Sequence, residues 1–421
     1  LWITMKMKKC LQGEVDEAGR LILPEEVISL YGLQPGAQVS ISEQGSGIHV
    51  HQPVTHLRKV YIEPTTHCNL NCRMCIRNTW EEPMGQMTES TFDSILKSLR
   101  AFSPPPTVIF GGFGEPLSHP RIAEMVAAVK ELNAPVELIT NATVLTKDLS
   151  RHLIEAGLDV LWVSLDAATT EVYGDVRLGA ILPQVISNVA CFRDMQRSTN
   201  PAPLHLGIVF VAMKRTIADL PAVMRLGRQL GADRFMLTNI LPYSQELTEE
   251  VLYARSLSEP PTPPSAMVPH LNLSRIDINE ETRTALSKIL SSTRDVGSNQ
   301  SSGADMSNSC PFIESGSTAV CWDGSVSPCL PLLHSHTAFI HERKRFSRRH
   351  VIGNVSDHDL QELWNAPEYI ELRKRVQAFD FSPCVFCGGC NLSQTNEEDC
   401  IGNLFPTCGG CLWAQGVIQC P

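Results

Sequence analysis

Thr65-Thr66-His67-Cys68-Asn69-Leu70-Asn71-Cys72-Arg73-Met74-Cys75 follows closely on an apolar, β-branched run that ends at Ile62. The C-x3-C-x2-C spacing gathers three thiolates into one short loop. A fully ligated [4Fe–4S] cube takes four cysteines, so three leave one iron without a protein ligand. Such a corner is built to bind something else, and the chain therefore reads as an enzyme. A structural zinc loop is the rival. It needs a fourth ligand close by, and His67 is too near Cys68 in the chain to complete a comfortable tetrahedron.

Working outward from this loop, residues 57–242 hold six short apolar runs, at 58–63, 107–111, 135–140, 160–165, 205–211 and 235–240. Between them lie stretches with apolar residues at i, i+3, i+4 and i+7: Glu89–Phe102, Arg121–Leu132, Leu149–Ala156, Pro183–Phe192 and Ala218–Leu230. Strands alternating with helices at this rhythm mean an α/β fold with a parallel sheet. Six βα units make a partial (β/α)6, TIM-like barrel, open on one side. Ligands then belong at the C-terminal ends of its strands.

Those ends carry chemistry. After the second run comes Phe110-Gly111-Gly112-Phe113-Gly114-Glu115-Pro116-Leu117, whose glycines let backbone approach a ligand. A phosphate loop would need a Lys-Ser/Thr pair that is absent here. After the third run, Asn141 offers polar groups suited to a ribose or a carboxylate. The fourth ends Val163-Ser164-Leu165-Asp166, with Ser164 and Asp166 on one face by strand alternation.

In position and spacing the cysteine loop resembles that of the radical SAM superfamily, and the later strands carry matching features in order. The resemblance implies a [4Fe–4S] cluster on Cys68, Cys72 and Cys75, with S-adenosylmethionine (SAM) at the open iron. It implies reductive cleavage of SAM to methionine and a 5′-deoxyadenosyl radical. Gly111, Gly112, Glu115, Asn141, Ser164, Asp166 and Arg177 are the residues it assigns to SAM. Many relatives place an aromatic residue before the last cysteine; here Met74 stands there, a polarizable side chain able to fill the same space.

Thirteen of the fifteen cysteines lie in the loop or beyond residue 309. Without an export signal, such clusters read as metal ligands rather than disulfides. The tail contains Cys310, Cys321, Cys329, Cys384, Cys387, Cys390, Cys400, Cys408, Cys411 and Cys420. Its C-x13-G-x4-C opening and the Glu362-Leu363-Trp364-Asn365 helix before the second cysteine group resemble the SPASM extension. That likeness implies two auxiliary [4Fe–4S] clusters, held by these cysteines with Cys321 left out of the ligand set. A zinc ribbon is the rival. The spacing after Cys387 departs from the usual SPASM pattern, so which cysteine serves which cluster stays open. Some sulfatase-maturing members carry an aspartate base directly after the G-x4-C cysteine; Leu330 occupies that position, and their chemistry does not transfer. One amphipathic helix is expected at about 357–376.

Residues 11–53 form short β-rich runs broken by Gly19, Pro35-Gly36 and Gly45, with a helical turn at 24–31. The stretch Val15 to Pro24 resembles an AbrB/SpoVT-like module. Residues 1–52 hold four Lys/Arg against six Asp/Glu, a net of −2, the wrong sign for a phosphate-binding face. Dimerisation or docking is the expected role, not nucleic-acid binding. The domain division is therefore 1–53 module, 54–243 barrel, 244–309 irregular connector and 310–421 cysteine-rich iron–sulfur domain. Within the connector, 259–265 reads as a stiff Pro-rich segment and 296–308 as a mobile Ser/Gly-rich one.

Overall composition agrees. The 421 residues carry a net charge of −10 and 43% hydrophobic residues, with no run of eighteen apolar residues. Leu1–Cys10 lacks the apolar stretch of a signal peptide; Leu1 reads as a non-standard start codon written literally, with Met5 or Met7 as the alternative starts. A cytoplasmic enzyme without a membrane partner is expected. The whole pattern, with the ending Pro406-Thr407-Cys408-Gly409-Gly410-Cys411, resembles the radical SAM maturases associated with tungsten-containing aldehyde:ferredoxin oxidoreductases. That implies a tungsten oxidoreductase or small companion peptide as substrate, and a low-potential ferredoxin or flavodoxin as electron donor. The alternatives are a radical SAM dehydrogenase of a small molecule and a non-enzymatic redox-sensing regulator.

Overall fold

The apolar runs become six parallel strands: β1 Lys59–Ile62, β2 Thr107–Phe110, β3 Val136–Thr140, β4 Val160–Ser164, β5 His205–Ala212 and β6 Arg234–Asn239. They stand side by side in sequence order. Near-continuous apolar strands are buried on both faces, as a parallel sheet covered by helices requires. The computed structural model describes residues 12–44, 47–199, 204–258, 275–292, 308–341, 343–387 and 390–420.

The covering helices are α1 Glu89–Leu99, α2 Ile122–Lys130, α3 Lys147–Glu155, α4 Thr170–Val176, α5 Leu182–Thr199 and α6 Leu220–Gln229. α1 starts where the Thr88 hydroxyl accepts the Thr91 N–H, an N-cap worth about 1 kcal/mol. Its Phe92, Ile95 and Leu99 form one buried stripe. Thr146 caps α3 in the same way, through the Leu149 N–H.

The sheet does not close. Among the described residues β6 pairs with β5 alone. At the other edge the cysteine-rich tail joins in: β7 Ser317–Val320 lies parallel to β1, followed by β8 Ser325–Ser327. The hairpin β9 His336–Ile340 and β10 Arg343–Ser347 stands apart, and β11 Gly353–Asn354 pairs with β8. The full order is β6-β5-β4-β3-β2-β1-β7-β8-β11. Tail and barrel thus share one sheet within the compact unit 57–421. The tail's end returns to β6, where Asn239 Nδ2 donates to the Val417 carbonyl at 2.8 Å and the Gln419 N–H to Thr238 Oγ1 at 2.8 Å.

Two expectations need correction. The single helix at 357–376 is two, Leu360–Trp364 and Pro367–Ala378. Pro367 has no N–H to continue the first, and it holds Ala366 in an extended conformation with ψ 133°. Leu360, Leu363, Trp364, Tyr369 and Leu372 are all buried nonetheless. The stretch read as an irregular connector holds a helix at Glu280–Ser292, with Ala285, Leu286 and Ile289 buried. The Pro-rich 259–265, the Ser/Gly-rich residues 296–307 and Leu1–Cys10 lie outside the described residues.

Residues 1–56 make a separate unit. In it Glu14–Val15 pairs with Leu21–Ile22, and Ile41–Gln44 with Gly47–Val50, flanking a helix at Glu25–Tyr31. This helix buries no residue, and Val15, Ile41 and Ile48 are each more than 60% exposed. No described helix is long and apolar enough to cross a membrane.

Candidate functional site

The cysteine loop leaves the C-terminal end of β1 and is held from three sides. The Cys75 N–H donates to the Cys72 carbonyl at 3.1 Å, closing a turn. The Asn71 and Arg73 N–H groups donate to the Leu178 and Val176 carbonyls, tying the loop to the end of α4. Arg73 also reaches Asp175 at 2.8 Å, so its charge faces away from the sulfurs. Arg77, which sequence reasoning passed over, donates to Cys75 Sγ at 3.3 Å and to the Leu70 carbonyl at 2.7 Å. Met74 packs against Val176, Met213 and Ile240.

The donor chemistry fits a cluster better than a single ion. The three loop sulfurs stand within electrostatic reach of one another, as thiolate donors to one iron–sulfur cube must. Burial pushes the Cys68 thiol up and the Cys72 thiol up to about 11. A pocket that disfavours free thiolates is one in which a bound cation carries the compensation. Cys68, Cys72 and Cys75 would hold the cluster through their sulfurs.

The glycine-rich loop after β2 presses against the chain leading into the cysteines. Gly112 has φ 106°, and a Cβ there would stand 2.6 Å from the Glu63 carboxylate. At Gly114 a Cβ would stand 2.0 Å from the Thr65 carbonyl oxygen. Gly111 has less need of its small size, with Ile139 at 3.0 Å. Glu115 is buried and accepts from Thr140 Oγ1 at 2.6 Å, the Asn141 N–H at 2.8 Å and the Leu117 N–H at 3.0 Å. Burial raises its carboxyl pKa against those three donors. This carboxylate locks the β2 loop to the end of β3, and among the described residues its Oε2 accepts from the Asn141 N–H alone, leaving a lone-pair direction for a ligand.

Asn141 lies 3.8 Å from Cys68 Sγ through Nδ2, which also donates to Asn69 at 3.1 Å. Its Oδ1 takes the Thr143 hydroxyl at 2.6 Å. Ser164 is half-buried at the end of β4, with no side-chain hydrogen bond among the described residues. Asp166 is fully buried, accepting from Arg177 at 2.6 and 2.7 Å and from the Val211 N–H at 2.8 Å. Burial disfavours the Arg177 charge, but Asp166 and then Cys72 outweigh it and raise the pKa. Arg177 therefore already has a carboxylate partner inside the chain, and stands within electrostatic reach of Cys72. Breaking such a buried pair from one side costs roughly 3–5 kcal/mol.

The tail sorts its cysteines into two groups. Cys310, Cys329, Cys408 and Cys411 line one cavity and stand within electrostatic reach of one another. Cys384 is within reach of Cys390 and Cys400, and Cys387 follows on the same turn, its N–H on the Pro383 carbonyl. Buried Arg345 is within reach of Cys384 on one side and of Cys411 and Cys408 on the other. Gly410 makes room for it: a Cβ there would stand 2.5 Å from its guanidinium carbon. No motif announces Arg345; it reaches this place only because β10 folds back on the tail. Cys420 receives the Trp413 N–H at 3.3 Å. Leu330, at the position of the missing base, is buried in the core.

Residues 62–220 match the radical SAM superfamily model, and residues 310–391 match the SPASM model, an iron–sulfur cluster-binding domain. Residues 62–220 are a radical SAM domain. A radical SAM domain carries a [4Fe–4S] cluster and SAM, a SPASM domain auxiliary iron–sulfur clusters, and the chain is an enzyme of this class. It is 29% identical to the tungsten-containing aldehyde ferredoxin oxidoreductase cofactor-modifying protein of Pyrococcus furiosus, over 87% of this chain and 97% of that one. It is 24% identical to the PqqA peptide cyclase of Gluconobacter oxydans, over 82% and 88%. Native anSMEcpe with bound AdoMet shares the fold, with TM-score 0.56 and 17% identity over 85% of this radical SAM protein and 94% of that one.

Proposed function

We propose that this radical SAM protein modifies a protein, peptide or cofactor during maturation of a tungsten-containing oxidoreductase. One observation carries the reading: the similarity to the Pyrococcus furiosus cofactor-modifying protein runs through barrel and tail alike, not through the SAM-binding part alone. The cluster with bound SAM would supply one-electron cleavage of the sulfonium bond and removal of a hydrogen atom from an unactivated carbon.

The chain's own residues do the rest. Cys68, Cys72 and Cys75 place the cluster at the strand ends. Gly111 and Gly112 bring backbone toward the SAM methionine, with Glu115 holding that backbone against Asn141. Ser164 offers a hydroxyl from β4, and the Asp166–Arg177 pair sets a fixed positive edge near Cys72. Exposed Cys387, Cys390 and Cys400 put the second tail group at the surface, where a low-potential ferredoxin or flavodoxin can deliver an electron. The cavity lined by the first group lies deeper.

The test is co-expression, under anaerobic conditions, of the chain with the tungsten oxidoreductase and any companion peptide encoded beside it. A SAM-dependent mass change in the oxidoreductase, its pterin or the peptide is expected. Rapid SAM consumption with all three unchanged, and a small molecule oxidised instead, overturns the reading.

We assign the N-terminal unit to self-association, supported by Val15, Leu21, Ile22, Ile41 and Ile48, all of them exposed. So many exposed apolar side chains on so small a unit favour a partner surface. Light scattering should give a dimer for the wild type and a monomer for Ile22→Asp/Ile41→Asp. Equal masses for both count against it.

A further inference from the structure

Cys321, which with Cys420 lies outside both groups, follows β7 beside the end of β1. The two strands run parallel with Val320 opposite Ile62, so Cys321 and Glu63 are the next pair at the C-terminal edge of the sheet. The Glu63 N–H fixes that register on the Val320 carbonyl at 2.9 Å. His334 reaches the same point from the turn before β9. Its Nε2 is 2.6 Å from Glu63 Oε2 and 3.8 Å from Cys321 Sγ, and that sulfur is 3.5 Å from Glu63 Oε2. All three side chains are buried, and their donor atoms lie within 4.8 Å of one another.

We propose that Glu63, Cys321 and His334 form a mononuclear zinc site, separate from every iron–sulfur cluster of the chain. Carboxylate, thiolate and imidazole are each zinc ligands, and bond lengths of about 2.0–2.3 Å at a tetrahedral centre set ligand atoms roughly 3.3–3.7 Å apart. The sulfur–oxygen and sulfur–nitrogen separations already match. The nitrogen–oxygen pair has to open by somewhat under 1 Å to admit the ion.

The surroundings point the same way. A ligating histidine usually gives its other ring nitrogen to a carboxylate, which fixes its tautomer and orientation. His334 Nδ1 is 2.6 Å from Glu82 Oε2, and the other Glu82 oxygen is pinned by the Ser335 N–H at 2.7 Å. Trp80 and Phe113 pack on the imidazole, with ring centroids 4.3 and 5.8 Å away. Acidic side chains crowd the site: Glu63 and Glu82 flank His334 at 2.6 Å each, and Arg349 lies 3.7 Å from Glu82 and 3.8 Å from Asp323. Without a metal the two glutamates favour the His334 cation; a divalent ion bound by Glu63, Cys321 and His334 would take the place of that proton and of the Cys321 proton. Three protein ligands leave a fourth position, on the edge of the sheet that carries the SAM-binding loop. That is the open form of zinc site, able to hold a water or a substrate donor atom.

The experiment measures zinc and iron together in the full chain, anaerobically reconstituted with iron, sulfide and one equivalent of zinc sulfate and then desalted. Expected is about one zinc per chain, with an X-ray absorption edge fitting one sulfur at about 2.3 Å and nitrogen or oxygen at about 2.0 Å. Cys321→Ser and His334→Ala should each lose most of that zinc and keep the wild-type iron. Zinc below about a tenth per chain, zinc unchanged in both variants, or a sulfur-only shell overturns the site. The spectrum of the wild type decides the matter even if a variant fails to fold.

Discussion

Replacing Cys72 by alanine is expected to cut reductive SAM cleavage by ~10³-fold or more, a barrier increase of ~4 kcal/mol. Two thiolates cannot hold a cube in a loop whose third corner is gone. Cys72 is also the loop thiol that burial pushes up to about 11, and it stands within reach of Arg177. The readout is 5′-deoxyadenosine formed from SAM and dithionite. Iron should fall by about four per chain, while the tail keeps its own. Equal 5′-deoxyadenosine from wild type and variant contradicts the assignment.

The tail gives the second large effect. Full reconstitution is expected to load about twelve irons per chain, three cubes of four. Two auxiliary cubes need eight thiolates, and the structure gathers eight: Cys310, Cys329, Cys408 and Cys411 around one cavity, Cys384, Cys387, Cys390 and Cys400 near the surface. Cys329→Ala and Cys384→Ala should therefore each bring the count to about eight, and the double variant to about four. Cys420→Ala should leave it near twelve, because the two groups of four already supply eight thiolates without it. Loss of all eight auxiliary irons from either single variant would mean that the two groups are one site. About four irons in the wild type, with zinc in the tail, would restore the zinc-ribbon alternative.

Much of the barrel was legible because local patterns and burial agree there. Apolar runs such as Val160 to Ser164 are covered on both faces, and the cysteine loop follows β1 where the topology needs it. The tail was harder. Its strand Ser317–Val320 pairs with Lys59–Ile62 across some 250 residues, and no local pattern reports a long-range parallel pairing. Pro367 was visible as a helix breaker, yet apolar spacing on both sides made two helices look like one. The same limit hid Glu63, Cys321 and His334. A lone glutamate before the loop, a spare cysteine and a histidine in a turn carry no spacing signal, and only β1–β7 register brings them together. Arg177 shows the reverse case. Its place after β4 was legible, but its pairing with Asp166 needed three dimensions.

Electron paramagnetic resonance of the dithionite-reduced protein, recorded with and without SAM, tests the open iron most directly. A reduced-cluster signal that changes on adding SAM, with the change absent from Cys72→Ala, is the predicted result. Identical spectra with and without SAM, in protein carrying its full iron, would contradict it.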